Sequence, residues 1–178
     1  AYRSRLPYVG CLSFRAANVA GQAVVTVSSA DKLSSGFRPL GWLNRPETLN
    51  DGFVDEQRNF FSAPRETMIT PEHPEWIVLS WSEAQALDLI GVMRGRDEKG
   101  LGEVVVESYQ GVADPRTATA EWRVEQGAWS PEERFRSAQW FAFATPVKTR
   151  AIRLRCVGGV KQISVGEVLA VRKLGTAA

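Results

Sequence analysis

The chain is short of the side chains that most catalysis and metal binding require. It has one histidine, His73, and two cysteines, Cys11 and Cys156, which lie far apart and form no CxxC pair. A lone imidazole leaves little scope for triad chemistry, and this spacing is wrong for a zinc site. No GxSxG, HExxH or phosphate-cradling glycine loop occurs. Paired glycosidase carboxylates carry no local signature, so an enzyme remains the least favoured reading. No apolar run approaches a membrane span, and "AYRSRLPYVG" lacks the shape of a secretory leader. A net charge of +2 and the lack of any lysine-rich block argue against nucleic acid as a partner. Helical periodicity is almost missing, as are internal repeats.

Short β-rich runs bounded by Gly, Pro, Asn, Asp and Ser are present in number. They are "QAVVTVSS", "EWIVLSW", "ALDLIGVMR", "EVVVESY", "TAEWRVEQ", "QWFAFA", "TRAIRLRCV" and "ISVGEVLAV". With 178 residues, 44% of them hydrophobic, one buried core is expected. The pattern predicts an all-β fold, an antiparallel β-sandwich of about eight strands with long apical loops. Residues 1–18 read as an arm or linker, 19–174 as the sandwich and 175–178 as a tail. In "AEWRVEQ" the two-residue period predicts Trp122 and Val124 inward, with Glu121, Arg123 and Glu125 outward. Trp122 and Trp140, inside strands, read as core. In "RAIRLRC" the same period puts Cys156 on the apolar face. A buried free thiol is favoured there, with a bridge to Cys11 as the alternative. The connection from Ala30 to Pro74 is unusually long, and its aromatics (Phe37, Trp42, Phe53, Phe60, Phe61) predict a packed cap.

One turn concentrates charge. "MRGRDEKGLGEVVVESYQG" places Arg94, Arg96, Asp97 and Glu103 around Gly100 and Gly102 before an apolar strand. These charges either solvate a hairpin whose glycines supply positive φ, or they rim a binding site.

Taken in order, "VTVSS", "LNDGF", "EWIVLSWSEAQALD", "MRGRDEKGLGEV", "EWRVEQGAW", "FATPVKTRAIRLRC" and "VGEVLAV" resemble the galactose-binding-like family. That family includes the discoidin (coagulation-factor type C) domains and related bacterial carbohydrate-binding modules. The resemblance runs from about Val19 to Arg172 and implies a jelly-roll sandwich. It also implies that Arg96 hydrogen-bonds a sugar hydroxyl from a loop rim shared with Arg94, Asp97 and Glu103. Trp42 or Trp129 would be the stacking ring. "RNFFSAP" puts Phe61 and Ser62 where galactose binders carry Trp-His, so the histidine acceptor is missing and galactose specificity is not implied. His73 reads as a residue above Trp76.

In many relatives the aspartate of the "DG" turn and a glutamate of the last strand bind calcium. Asp51 and Glu167 match those positions, and Asn59 stands near a helper position. Calcium, in a structural role, is therefore expected. The alternative pairs Glu167 with an arginine and leaves Asp51 to an Asx turn. The resemblance further implies a secreted or cell-surface bacterial module that is not itself an enzyme. It would bind a polysaccharide or oligosaccharide and serve a catalytic domain in the same parent chain. The competing expectation is a structural or protein-docking sandwich. Phe37, Leu40 and Trp42 leave a membrane-binding loop tip open without favouring it.

Overall fold

The computed structural model describes residues 16–32, 44–52, 59–94, 100–130 and 138–173. Among them nine strands form one curled antiparallel system and no α-helix occurs: β1 Ala16–Asn18, β2 Val24–Val27, β3 Phe60–Phe61, β4 Glu75–Arg94, β5 Glu103–Tyr109, β6 Trp122–Val124, β7 Gly127–Trp129, β8 Ala138–Gly158 and β9 Ser164–Lys173. The antiparallel sandwich expected from the sequence is therefore present.

Two strands build both layers. The first half of β4 pairs with the second half of β8, from Glu75 opposite Cys156 to Ser80 opposite Ala151. The second half of β4 pairs with the first half of β8, from Leu89 opposite Ala142 to Met93 opposite Ala138. Register shifts between Ser80 and Gln85, and between Leu87 and Leu89, mark the bends where the pair passes from one layer to the other. One layer is β2-β4-β8-β5-β6; the other adds β9 and β7, with β1 and β3 on the outside of β9. "EWIVLSW" and "ALDLIGVMR" are thus one strand, as are "QWFAFA" and "TRAIRLRCV". Residues 16–18, expected in the arm, belong to the sheet as β1, with Ala16 opposite Lys173.

The core lies between the layers. Ile77, Leu79, Leu87, Ile90, Phe141, Ile152, Leu154, Cys156, Val168 and Ala170 form it, with Phe60 and Leu49 from the long connection. The strand period delivers these residues to one face. Cys156 is a free buried thiol, and burial raises its pKa; Cys11 lies outside the described residues. Trp81 is buried and donates its indole N–H to the Val19 carbonyl at 2.9 Å, fastening the strand to the start of the fold.

In "AEWRVEQ" Glu121 and Arg123 are exposed as expected, but Trp122 and Val124 do not face the core. Trp122 packs against Tyr109, Val78 and Ala151 in a small cluster on the outer face, and Val124 is exposed. Glu125 instead receives the hydroxyl of buried Ser108. Trp140 is also half-buried outside the core. It lies across Gly91, where a Cβ would meet the ring at 2.6 Å.

A carboxylate closes the core under the loops. Glu75, opposite Cys156, is 2% exposed. It accepts from Arg65 Nε at 2.9 Å and Nη2 at 2.7 Å, from Ser29 Oγ at 2.8 Å and from Ser28 Oγ. Every charge-bearing oxygen is matched, as burial of a carboxylate demands. Glu75→Ala is expected to lower stability by about 2 kcal/mol, read by urea denaturation. The loss stays modest because Arg65, at 29% exposure, can rehydrate.

Candidate functional site

One end of the sandwich gathers the connections that the sequence marks as functional. The β4–β5 and β8–β9 connections meet there, since Ser164 N donates to Gly100 O at 3.0 Å. The long connection joins them: Ser62 N donates to Ile163 O at 3.2 Å, and Ile69 N donates to Val160 O at 2.9 Å. Asn44 ties the strap together, donating to Asp31 O at 2.8 Å and Phe61 O at 2.9 Å while accepting from Phe61 N at 2.6 Å. Buried Phe60 and Leu49 give the expected packed cap its apolar anchor.

The turn into β5 depends on its glycines. Gly100 and Gly102 have φ of 57° and 67°, the positive values expected of them, but the connection is not the expected hairpin, since β5 pairs with β8 and β6 and not with β4. A side chain at Gly102 would also run into the Gly158 carbonyl. This close approach lays Glu103 beside Gly158 and Gly159, with its carboxylate exposed at the end of the sheet. Of the residues expected to contact sugar, Glu103 alone is placed by the described residues as an open polar group on this rim. Arg94 ends β4 at the same end; its side chain, with Trp42, Arg96 and Asp97, lies outside the described residues.

Two expected sugar contacts are corrected. Ser62 is fully buried, and its hydroxyl accepts from Ile163 N at 3.0 Å, so it belongs to the cap's internal bonding. Trp129 stands opposite Phe141 on the core-facing side of β7. It makes an edge-on contact there at 5.3 Å between ring centroids, not a free platform. His73 is exposed in the turn closed by its bridge to Thr70, and its carbonyl accepts from Arg65 Nη1 at 2.7 Å.

Glu167 sits on β9 opposite Met93, close to this end, and is 0% exposed. Its Oε1 accepts from Gly52 N at 3.0 Å, while its buried Oε2 has no hydrogen-bond partner. Among the described residues no arginine is paired with it. Burial raises its pKa from 4.5 to about 8; the Gly52 N–H opposes the shift and the Asp51 charge adds to it. Asn59 is buried one residue before β3, and the β3–β9 register extended by one step places it opposite Gly166. Among the described residues no three or more His, Cys, Asp or Glu side chains are grouped so as to hold a metal ion by themselves. An orphaned carboxylate oxygen beside a second carboxylate and a buried amide nevertheless suits a hard cation that completes its shell with carbonyls.

A further set of charged residues was not singled out from the sequence. Glu107, 4% exposed, is held by Arg153 Nε at 2.6 Å and Arg155 Nε at 3.1 Å on the outer face of the β4-β8-β5 layer. The signal was a glutamate interrupting "VVVES", in phase with two arginines that alternate with core residues in "RAIRLRC".

No protein-family profile and no curated protein matches the chain. Solved structures do match. A chain from a structure of the Streptococcus pneumoniae β-galactosidase BgaA superposes with a TM-score of 0.66 at 14% identity, covering 84% of this chain and 90% of that one. The family 32 carbohydrate-binding module of Clostridium perfringens NanJ, solved with galactose, gives 0.58 at 10% identity over 88% and 99%. Chitosan-binding module 1 of a Paenibacillus sp. IK-5 chitosanase/glucanase gives 0.57 at 16% identity over 86% and 98%. The chain thus has the galactose-binding-like sandwich fold of these modules.

The Glu167 proton gives this site a pH signature. The folded state holds it more tightly than the unfolded chain, so its contribution to stability is full below about pH 4.5 and lost as pH rises through about 8. In chelated protein, the melting temperature is expected to fall across that window, and Glu167→Gln should flatten the slope.

Proposed function

We propose that the chain is a non-catalytic carbohydrate-binding module whose glycan seat is the loop end built on the β4–β5 turn. The observation that carries this reading is the exposed Glu103 carboxylate, fixed against Gly158 and Gly159 at the end of a sandwich shared with solved carbohydrate-binding modules. A carboxylate accepts from sugar hydroxyls, and a guanidinium two residues beyond Arg94 would supply the matching donors. Arg96 and Asp97 are assigned to that role from the sequence, with Trp42 as the stacking ring. The buried network of Glu75, Ser28, Ser29 and Arg65 supports the floor of this end, so the seat is held by fixed side chains.

Asp51, Glu167 and Asn59 are proposed to hold a structural calcium ion. The ion would neutralise the buried Glu167 carboxylate and tie the 51–52 turn to β9. The function that follows is attachment: a weak shallow site gains effect by raising the local concentration of a catalytic domain in the same parent chain at its polysaccharide, outside the cell.

Affinity electrophoresis against neutral polysaccharides tests the seat. Arg96→Ala and Glu103→Ala are expected to abolish retardation with near-unchanged melting temperatures; wild-type protein that no glycan retards would leave the docking-sandwich reading. Calcium at a hundredfold excess over its dissociation constant should stabilise the chelated protein by about 2.7 kcal/mol, measured by thermal denaturation. Glu167→Gln should abolish that gain.

A further inference from the structure

The outer face of the β2-β4-β8-β5-β6 layer carries a second constellation, separate from the loop end. The period of two sends Trp76 and Val78 of β4, Arg155, Arg153 and Ala151 of β8, Glu107 and Tyr109 of β5, and Trp122 of β6 to this side. Trp76 stands directly opposite Arg155, and Glu107 directly opposite Arg153. The Arg153 guanidinium lies 4.4 Å from the centroid of the Trp122 ring, which packs on Tyr109 at 5.2 Å.

Glu107 fixes both arginines by the same atom type. Each guanidinium donates its Nε–H to one Glu107 oxygen. Their terminal amino groups carry the remaining donors, and the side chains keep 15% and 24% exposure. One buried carboxylate therefore aligns two cations and neutralises only one of them. A pair of guanidinium forks held in place, with a positive excess, matches a carboxylate or sulfate. Half-buried Trp76 and Trp122 flank the pair. Three interstrand steps separate their strands, about 14 Å, and the register sets the two residues four positions apart along the strands, about 13 Å, so an oligosaccharide of several rings would reach both.

We propose that this face binds an acidic saccharide, with Arg153 and Arg155 receiving its carboxylate or sulfate groups and Trp76 and Trp122 lining its ring faces. The site uses neither Glu103 nor the β4–β5 turn, although Trp76 and Arg155 adjoin the Glu75–Cys156 row that floors the loop end, and it would stand if the neutral-glycan seat failed.

The test is affinity electrophoresis and calorimetry of the whole chain with polygalacturonate, with heparin and with neutral galactan. Retention by at least one of the acidic polymers is expected, weakening with added salt, and which of the two is retained tells carboxylate from sulfate recognition. Arg155→Lys keeps the charge beside Glu107 but loses the fork; Trp76→Ala removes a ring without touching an ion pair. Each is expected to weaken acidic binding about tenfold while leaving galactan retention unchanged in protein whose folding is confirmed by its cooperative melting. Quenching of tryptophan fluorescence by the acidic polymer, lost in Trp76→Ala, is an independent readout should Arg155→Lys fold poorly. Failure of both acidic polymers to bind, or binding insensitive to both substitutions, overturns the proposal. Self-association abolished by these substitutions would give the face to a second copy and overturn it equally.

Discussion

The hydrogen-bonded pairing of β4 with β8 is the constraint on which everything else depends. Because both strands bend at matching places, one pair of segments supplies the centre of each layer, and the two apolar faces close on each other. The remaining strands attach to this frame: β5 and β2 on one layer, β9 and β7 on the other. The loop end exists because the frame brings Arg94, Glu75 and Gly158 to the same end of the molecule. The connections leaving those points must therefore meet, and the Ser164–Gly100 bond shows that they do.

Three buried glutamates meet the cost of burying charge in three ways. Glu75 is saturated by two serines on one oxygen and two donors of Arg65 on the other, and is structural. Glu107 is shared by two arginines and leaves a positive excess on the surface. Glu167 has one N–H and one orphaned oxygen, and its proton affinity rises accordingly. These differences in satisfaction separate the scaffold from the places where a ligand has something to complete.

Much of the fold was legible because a period of two is a strong signal. The main runs are strands, Gly100 and Gly102 take positive φ, and Cys156 is buried as its alternation implied. The same period names two faces without saying which one meets the core. For that reason Trp122 and Val124 were assigned inward and lie outward. Ser62 was misplaced for a different reason: its burial depends on Ile163, a partner a hundred residues away that no local pattern announces. The short β1 and β3 were missed because no alternating run surrounds their two or three residues, unlike the equally short β6, which lies inside the alternating "AEWRVEQ". Of the candidate site, the place of Glu103 at the start of β5 and the lone carboxylate of Glu167 in an apolar strand were readable, while the Glu107 clamp required knowledge of which strands are neighbours.

The pairing of Ala16 with Lys173 has a consequence for how such a body sits in a longer polypeptide. Lys173 N is bonded to Asp88, on the bend side of β4, so this pair lies at the pole away from Glu103. Chain running on past either residue departs from adjacent points there. The two strands that lead out of the described body thus start side by side at the pole away from Glu103, and a join made at that point leaves the Glu103 end uncovered.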